Sequence, residues 1–214
     1  GSRPIANDND KIYEIKLDKP RWYGFPDFFG NAEPVTDEKF KSPAGNQSLQ
    51  FLMKQHPEVE KPLALIDKVA AAVTAMDITN NTNFGTNGSQ AFIGEFGDMA
   101  PVTHPLPIKD ILQRNILPQT SDTDSIPGRK VIMLDPKTGN YTDFISLKSM
   151  DSSFRPVGVF FNENENALYI VSIGKVELRR ELPNGTPLPI PLSWAYPYSG
   201  VVWKVTHSTG AGGS

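Results

Sequence analysis

The sequence predicts an all-β fold, a partial β-propeller of about three four-stranded blades with long irregular loops and short helices. In residues 155–173, two apolar runs flank a polar turn-forming run at 162–166, which is the pattern of a β-hairpin. The 17 glycines and 19 prolines among 214 residues favour turns over long helices. Three widely spaced segments share one plan, an alternating apolar strand with a polar stop, as a repeated blade requires: residues 11–17, 130–134 and 201–205.

The remaining strands follow from local alternation and turn chemistry. Residues 130–134 and 141–145 form a second hairpin, because the connection between them contains Asp135, Pro136 and Gly139, which are turn-forming residues. Residues 176–179 extend the first hairpin, and residues 69–76 fit either a helical turn or a strand. The other predicted strands cover residues 62–66 and 91–97.

Short helices and loops fill the intervening chain. Residues 48–55 carry Leu49, Leu52 and Met53 at helical spacing and end before His56-Pro57, and residues 108–115 form a second short helix. The Pro-rich residues 182–197 form a loop. The aromatic residues 22–30 form a compact loop packed on the sheet or, alternatively, a platform on which a sugar stacks. The predicted domain covers residues 1–207, and residues 208–214 form a flexible Gly/Ser-rich tail.

Composition excludes several classes of function. A net charge of −3 provides no basic surface for nucleic acid or an anionic membrane. No apolar run approaches the roughly 20 residues that span a bilayer. The absence of cysteine excludes disulfides, thiolate zinc sites and cysteine nucleophiles. Because His56, His104 and His207 are scattered without metal-ligand spacing, no metal site is predicted.

Six motifs occur in the order in which a known family carries them. Together they resemble the glucose/sorbosone dehydrogenase family, six-bladed propellers that oxidise sugars with pyrroloquinoline quinone. Family members are about twice as long, so the resemblance implies a C-terminal half, with the catalytic histidine base and the calcium-binding loop in the other half. The motifs are W-Y-G-F-P-D-F-F-G at 22–30, P-V-T-D at 34–37, A-F-I-G-E-F-G at 91–97, G-R-K-V-I-M-L-D-P-K-T-G at 128–139, R-P-V-G-V at 155–159 and S-G-V-V-W-K-V at 199–205.

The resemblance implies hydride transfer from a sugar hydroxyl or aldehyde to the quinone, with calcium polarising the quinone oxygens. Arg155 matches an arginine that pairs with a quinone carboxylate, and Lys130 and Arg129 are weaker matches for a second cation. Glu95 and Trp194 are the candidate substrate-binding residues. A role for Arg155 in bonding loop carbonyls is an equal alternative, and no catalytic residue is identified within the chain.

The chain departs from the family at two places beside these residues. Phe96-Gly97 stands where the family often has His-Gly, and Ser172-Ile173-Gly174 stands where it has Ser-Asp-Asp. Two function classes therefore remain: one part of a quinone-dependent sugar dehydrogenase, inactive by itself, or a non-catalytic propeller module that binds a glycan or a protein. Either class predicts an extracellular or periplasmic location.

The expected partner is a neighbour that covers open blade faces. Three blades leave apolar faces that are unstable alone. The sequence thus predicts pairing with a second copy about a two-fold axis, or with a separate chain carrying the missing blades.

Overall fold

The structure, a computed structural model, describes residues 8–40, 49–66, 71–80, 84, 88–97, 128–146, 153–182 and 184–207. These residues confirm the all-β prediction, since they contain almost no helix and their sheets are antiparallel. None of their helical residues forms a segment long and apolar enough to cross a membrane. The strands are β1 Lys11–Ile12, β2 Phe28–Phe29, β3 Glu33–Pro34, β4 Ala64–Leu65, β5 Val73–Thr79, β6 Gln90–Glu95, β7 Lys130–Leu134, β8 Tyr141–Ser146, β9 Pro156–Asn162, β10 Ala167–Ser172, β11 Val176–Glu181, β12 Pro187–Ala195 and β13 Val201–Thr206.

The largest sheet is a four-stranded meander in the order β5-β6-β7-β8. Its β7–β8 hairpin confirms the predicted pair of strands, with Asp135 opening the turn by accepting hydrogen bonds from Lys137 N and Thr138 Oγ1. Strand β6 is buried along almost its whole length. A strand with two buried faces must be covered by a layer on each side.

The second sheet has the order β13-β10-β9 and contains the predicted hairpin of residues 155–173. Between β10 and β13 the chain forms a separate two-stranded hairpin, β11–β12. The prediction that residues 176–179 extend the first hairpin is wrong, because they pair with β12 instead. The predicted loop at 182–197 is also wrong, since most of it is strand β12.

The two larger sheets repeat one another residue for residue. In each sheet, the last residue of the middle strand (β6 or β10) pairs with the first residue of the strand before it (β5 or β9). A bulge then skips the second residue of that earlier strand, and regular pairing continues beyond it. The following strand (β7 or β13) begins with the residue that lies opposite this same last residue of the middle strand. The equivalent residues, first sheet then second, are Val73 and Pro156, Thr74 and Val157, Glu95 and Ser172, and Lys130 and Val201.

The sheets stack face to face, with the four-stranded sheet between β1-β4 and the second sheet. Strands β5 and β9 also form hydrogen bonds from one sheet to the other: Thr74 Oγ1 donates to Pro156 O at 2.8 Å, and Phe161 N donates to Asp77 Oδ2 at 2.7 Å. One core joins Ala91, Ile93, Ile132 and Leu134 to Ala64 and Ile66, and the other joins Phe92 and Val131 to Val159, Phe161, Leu168 and Ile170.

Three further predictions are settled by the described residues. Of the strand predicted at 11–17, only β1 forms. No helix forms over residues 49–55, because the amides of Leu52 and Met53 donate to the Asp27 carboxylate rather than to a helical ladder. Residues 73–76 belong to a strand rather than a helical turn. The predicted helix at 108–115 and tail at 208–214 lie outside the described residues.

Candidate functional site

Four of the five predicted site residues lie at the same end of the two sheets. Glu95 ends β6, Lys130 begins β7 directly opposite it with Arg129 just before it, and Arg155 immediately precedes β9. Trp194 is on the separate hairpin, opposite Glu177. The strand ends around Glu95, Lys130 and Arg155 therefore form the candidate site.

Arg155 joins the two sheets at this end. Its side chain is buried, with 1% of the residue exposed, and Nη1 donates to Phe96 O at 3.1 Å and Gly97 O at 3.2 Å. Its guanidinium also lies 4.7 Å from the centre of the Phe96 ring. A buried cation must be compensated by acceptors, and the fork of an arginine suits paired carbonyls. The guanidinium thus fastens the residues that follow β6 to the start of β9.

The two residues that end the middle strands are buried and polar. Ser172 Oγ accepts a hydrogen bond from Arg155 N at 2.9 Å and donates to Ser153 O at 2.7 Å. The Arg155 carbonyl in turn accepts from Ile173 N at 3.1 Å. Glu95, the equivalent of Ser172 in the first sheet, is buried as well. The buried side chains that end strands β6 and β10 are therefore polar rather than apolar.

The two weaker cation candidates lie beside this end. Lys130 Nζ is 2.6 Å from Asp143 Oδ1, so its ammonium pairs with a carboxylate on the neighbouring strand β8. Arg129 has a φ of 58°, which places its backbone in the left-handed region. Residues other than glycine rarely adopt that region, so an arginine there indicates that its surroundings hold the turn before β7 in one conformation.

These residues do not fit a quinone with calcium. Arg155, the best match for a cation that binds a quinone carboxylate, is buried, and its guanidinium donates hydrogen bonds to backbone carbonyls of the protein. Lys130 is held by Asp143, and no group of three or more acidic or histidine side chains with metal-binding geometry exists within the part of the chain that the structure describes. The described strand ends thus form a structural clamp.

A second buried polar cluster lies in the N-terminal region and was not anticipated from the sequence. Asp27 is fully buried and accepts hydrogen bonds from Leu52 N at 2.8 Å and Met53 N at 2.7 Å. His56 Nε2 lies 3.0 Å from Asp27 Oδ2. No partner for His56 was predicted from the sequence, and the contact could not be read from sequence spacing because 29 positions separate the histidine from Asp27. The carboxylate ties two loops together.

Aromatic rings enclose this histidine. Its ring stacks on Trp22 at 5.5 Å between centroids, and the edges or faces of two more rings complete the cluster: Phe28 at 5.1 Å and Phe51 at 4.8 Å. Aromatic pairs of this kind each add about 1 kcal/mol beyond the area that they bury. The ring contacts of Trp22 and Phe28 agree with the compact aromatic loop predicted for residues 22–30, although their partners are Phe51 and His56 of a neighbouring loop and not the sheet on which the loop was predicted to pack.

We expect Asp27→Asn to lower the free energy of unfolding by about 2 kcal/mol, since both carboxylate oxygens accept hydrogen bonds and an amide offers only one acceptor. Chemical denaturation followed by fluorescence measures the change. The matched control is Asp37→Asn, at an exposed carboxylate that accepts from Lys39 N, and it should change stability by less than about 0.5 kcal/mol. Equal effects of the two substitutions would contradict the role given to Asp27.

Comparisons of the chain with protein-family models, with curated proteins and with solved structures found no match. The family resemblance drawn from the motifs therefore stays a prediction.

Proposed function

We propose that the chain is one part of a propeller-type protein of the glucose/sorbosone dehydrogenase kind, and that it contributes sheets to the ring rather than the cofactor site. The residue-for-residue repeat carries this proposal. The two sheets share one register, and the inner strand of the first packs against the inner strand of the second. Sheets that share one register and pack on each other in sequence order are what a propeller of repeated blades requires, and this agreement supports the proposal.

In the proposed complete protein the chemistry is oxidation of a sugar by hydride transfer to pyrroloquinoline quinone, with calcium bound nearby, in an extracellular or periplasmic location. The histidine base and the calcium ligands belong to blades outside this chain. Glu95, Lys130, Arg129 and Arg155 lie at the strand ends, where Arg155 holds two blades together. The chain by itself is then inactive.

The second candidate is a non-catalytic propeller module that binds a glycan or a protein. Two observations favour it: the Arg155 guanidinium donates to carbonyls, and the neighbouring Phe96 and Ile173 are apolar where the family often has polar residues. The exposed rings of Phe25 and Phe51 would suit a sugar face. This candidate predicts glycan or protein binding without any role for a quinone.

A titration of the chain with pyrroloquinoline quinone, with and without calcium, tests the proposal. We expect no saturable binding, because Arg155 donates to the Phe96 and Gly97 carbonyls and Lys130 pairs with Asp143. Saturable, calcium-dependent binding by the chain alone would overturn the statement that it lacks the cofactor site. Addition of the N-terminal blades of a glucose/sorbosone dehydrogenase then separates the two candidates: sugar-dependent dye reduction favours the dehydrogenase, and its absence favours the binding module.

A further inference from the structure

The second sheet leaves an apolar face uncovered. Phe160 is 59% exposed and Val202 is 63% exposed, and Val171 on the strand between them is exposed as well. The registers place all three side chains on the face that points away from the first sheet. By the repeat, their equivalents on the first sheet are Asp77, Gly94 and Val131, which lie on the face that packs against β9 and β10. The exposed residues thus form the docking face of a repeated unit, which we call the leading face.

The first sheet leaves part of the opposite half of the same interface uncovered, on strand β5. Met76 and Ile78 on β5 are each 50% exposed. Their equivalents on the second sheet, Val159 and Phe161, are buried because the first sheet packs on them. The two-stranded β1-β4 layer covers β6 and β7 at this end but leaves these two side chains open. We call Met76 and Ile78 the trailing face.

We propose that the leading face of one copy of this chain packs on the trailing face of a second copy, head to tail. This inference rests on the propeller arrangement proposed above and names its partner. Each copy carries one face of each kind, and a head-to-tail contact closes with two copies when each copy spans half of the ring, as the family resemblance implies, so we expect two copies joined by two identical contacts. The observation that selects a second copy over an unrelated protein is that apolar side chains from both halves of one repeated interface are exposed on the same chain.

The side chains of the two faces match in chemistry. Within the chain, Asp77 of the first sheet reaches over Phe161 of the second and accepts from its amide. At the interface between copies the equivalent pair is Phe160 over Ile78, an apolar side chain on an apolar one. The amide of Ile78 already donates to Asp77 Oδ1 at 2.9 Å, so the contact buries no unsatisfied donor there.

The charged residues on the leading face neutralise each other. Lys204 forms an ion pair with Glu165, and Tyr169 Oη donates to the same carboxylate at 2.5 Å. The bond from Lys204 holds the pKa of the Glu165 carboxyl below its ordinary value, so the pair stays charged and compensated near neutral pH. The apolar residues therefore determine what this face binds.

Light scattering during gel filtration tests the inference with two single-face variants. We expect the wild-type chain to have the mass of a dimer and both Phe160→Asp and Ile78→Asp to have the mass of a monomer. A mixture of the two variants should again form a dimer, since the first variant retains an intact trailing face and the second an intact leading face. Tyr198→Asp, at an exposed side chain outside both faces, is the control and should remain dimeric.

Several results would overturn the inference. A monomeric wild-type chain excludes it, and so does a dimer that survives both face substitutions. Variants that stay apart when mixed, while circular dichroism shows that each is folded, exclude a head-to-tail contact. The quinone titration is independent of this assay, so a chain that dimerises as expected and also binds quinone would refute only the proposed function.

Discussion

Replacement of Arg155 by Met should lower the free energy of unfolding by about 3 kcal/mol, since it leaves two carbonyls without their donor in a buried site. The Nη1 atom donates to both Phe96 O and Gly97 O, and the guanidinium packs on the Phe96 ring. A methionine fills a similar length but donates no hydrogen bond. Because these contacts cross from one sheet to the other, the loss should lower the cooperativity of unfolding as well as its midpoint.

Two controls separate this role from a general loss of charge. Arg155→Lys keeps the charge but loses the fork, so it should recover only part of the stability. Lys130→Met removes a cation at the same end of the sheets whose partner, Asp143, is more than half exposed, and it should cost less than about 1 kcal/mol. Denaturation curves for the three variants, each fitted for midpoint and slope, provide the comparison. Equal losses for Arg155→Met and Lys130→Met would show that Arg155 does not clamp the sheets.

The second large effect is expected at Gly128, where the chain enters β7. Its φ is +77°, and a Cβ added there would lie less than 3.0 Å from Gly97 Cα, Gly97 N and Ala71 O. All three are backbone atoms and cannot rotate away. We expect Gly128→Ala to cost about 3 kcal/mol or more, roughly 1 from the left-handed backbone and the rest from overpacking.

The matched control is Gly185→Ala. Its φ is +80°, nearly that of Gly128, but nothing lies within 4 Å of the added Cβ. The control therefore carries the backbone cost without the steric clash, and we expect a loss of about 1 kcal/mol. Thermal and denaturant unfolding of the two variants yields the difference. If Gly128→Ala were no worse than Gly185→Ala, the close approach of the residues after β6 to those before β7 would be contradicted.

The hairpins were predictable because their information is local. Pro156–Asn162 and Ala167–Ser172 alternate across an Asn-rich turn, and Lys130–Leu134 and Tyr141–Ser146 flank a turn with Asp, Pro and Gly at suitable positions. The similarity between the strands at 130–134 and 201–205 was also visible in the sequence. The structure shows that the similarity includes a shared strand register. That register depends on strand pairing and bulges, which cannot be recognised in the sequence of a single segment.

The errors arise where tertiary contacts override local preference. Strand β12 contains Pro187, Pro189 and Pro191, which argued for a loop. The register with β11 shifts between Leu192 and Pro187, so Pro189 and Pro191 lie in the irregular stretch and their missing amides interrupt no regular pairing. The helix expected at 48–55 does not form over the described residues 49–55, because a buried carboxylate from a distant loop, Asp27, accepts hydrogen bonds from two of its amides.

The site could be predicted only in part. That Glu95, Lys130 and Arg155 lie at one end of the sheets follows from their places at strand termini. The direction of the Arg155 side chain does not follow, because it depends on where the Phe96 and Gly97 carbonyls lie in the neighbouring sheet. The Asp27–His56 pair was missed for the same reason, since two separate loops must fold together before the pair exists.

The most direct test of the repeated sheet packing is a disulfide engineered across it. The chain has no cysteine, so Gly94→Cys with Pro156→Cys introduces a single possible bridge. A Cβ at Gly94 would lie 3.1 Å from Pro156 Cβ, close to the roughly 3.5 to 4.5 Å between the Cβ atoms of a disulfide. Gly94→Cys with Asn184→Cys, at an exposed turn of another sheet, is the control. Mass spectrometry after mild oxidation should show the bridge within single chains of the first variant and free thiols in the control; free thiols in both variants would contradict the stacking of the two sheets.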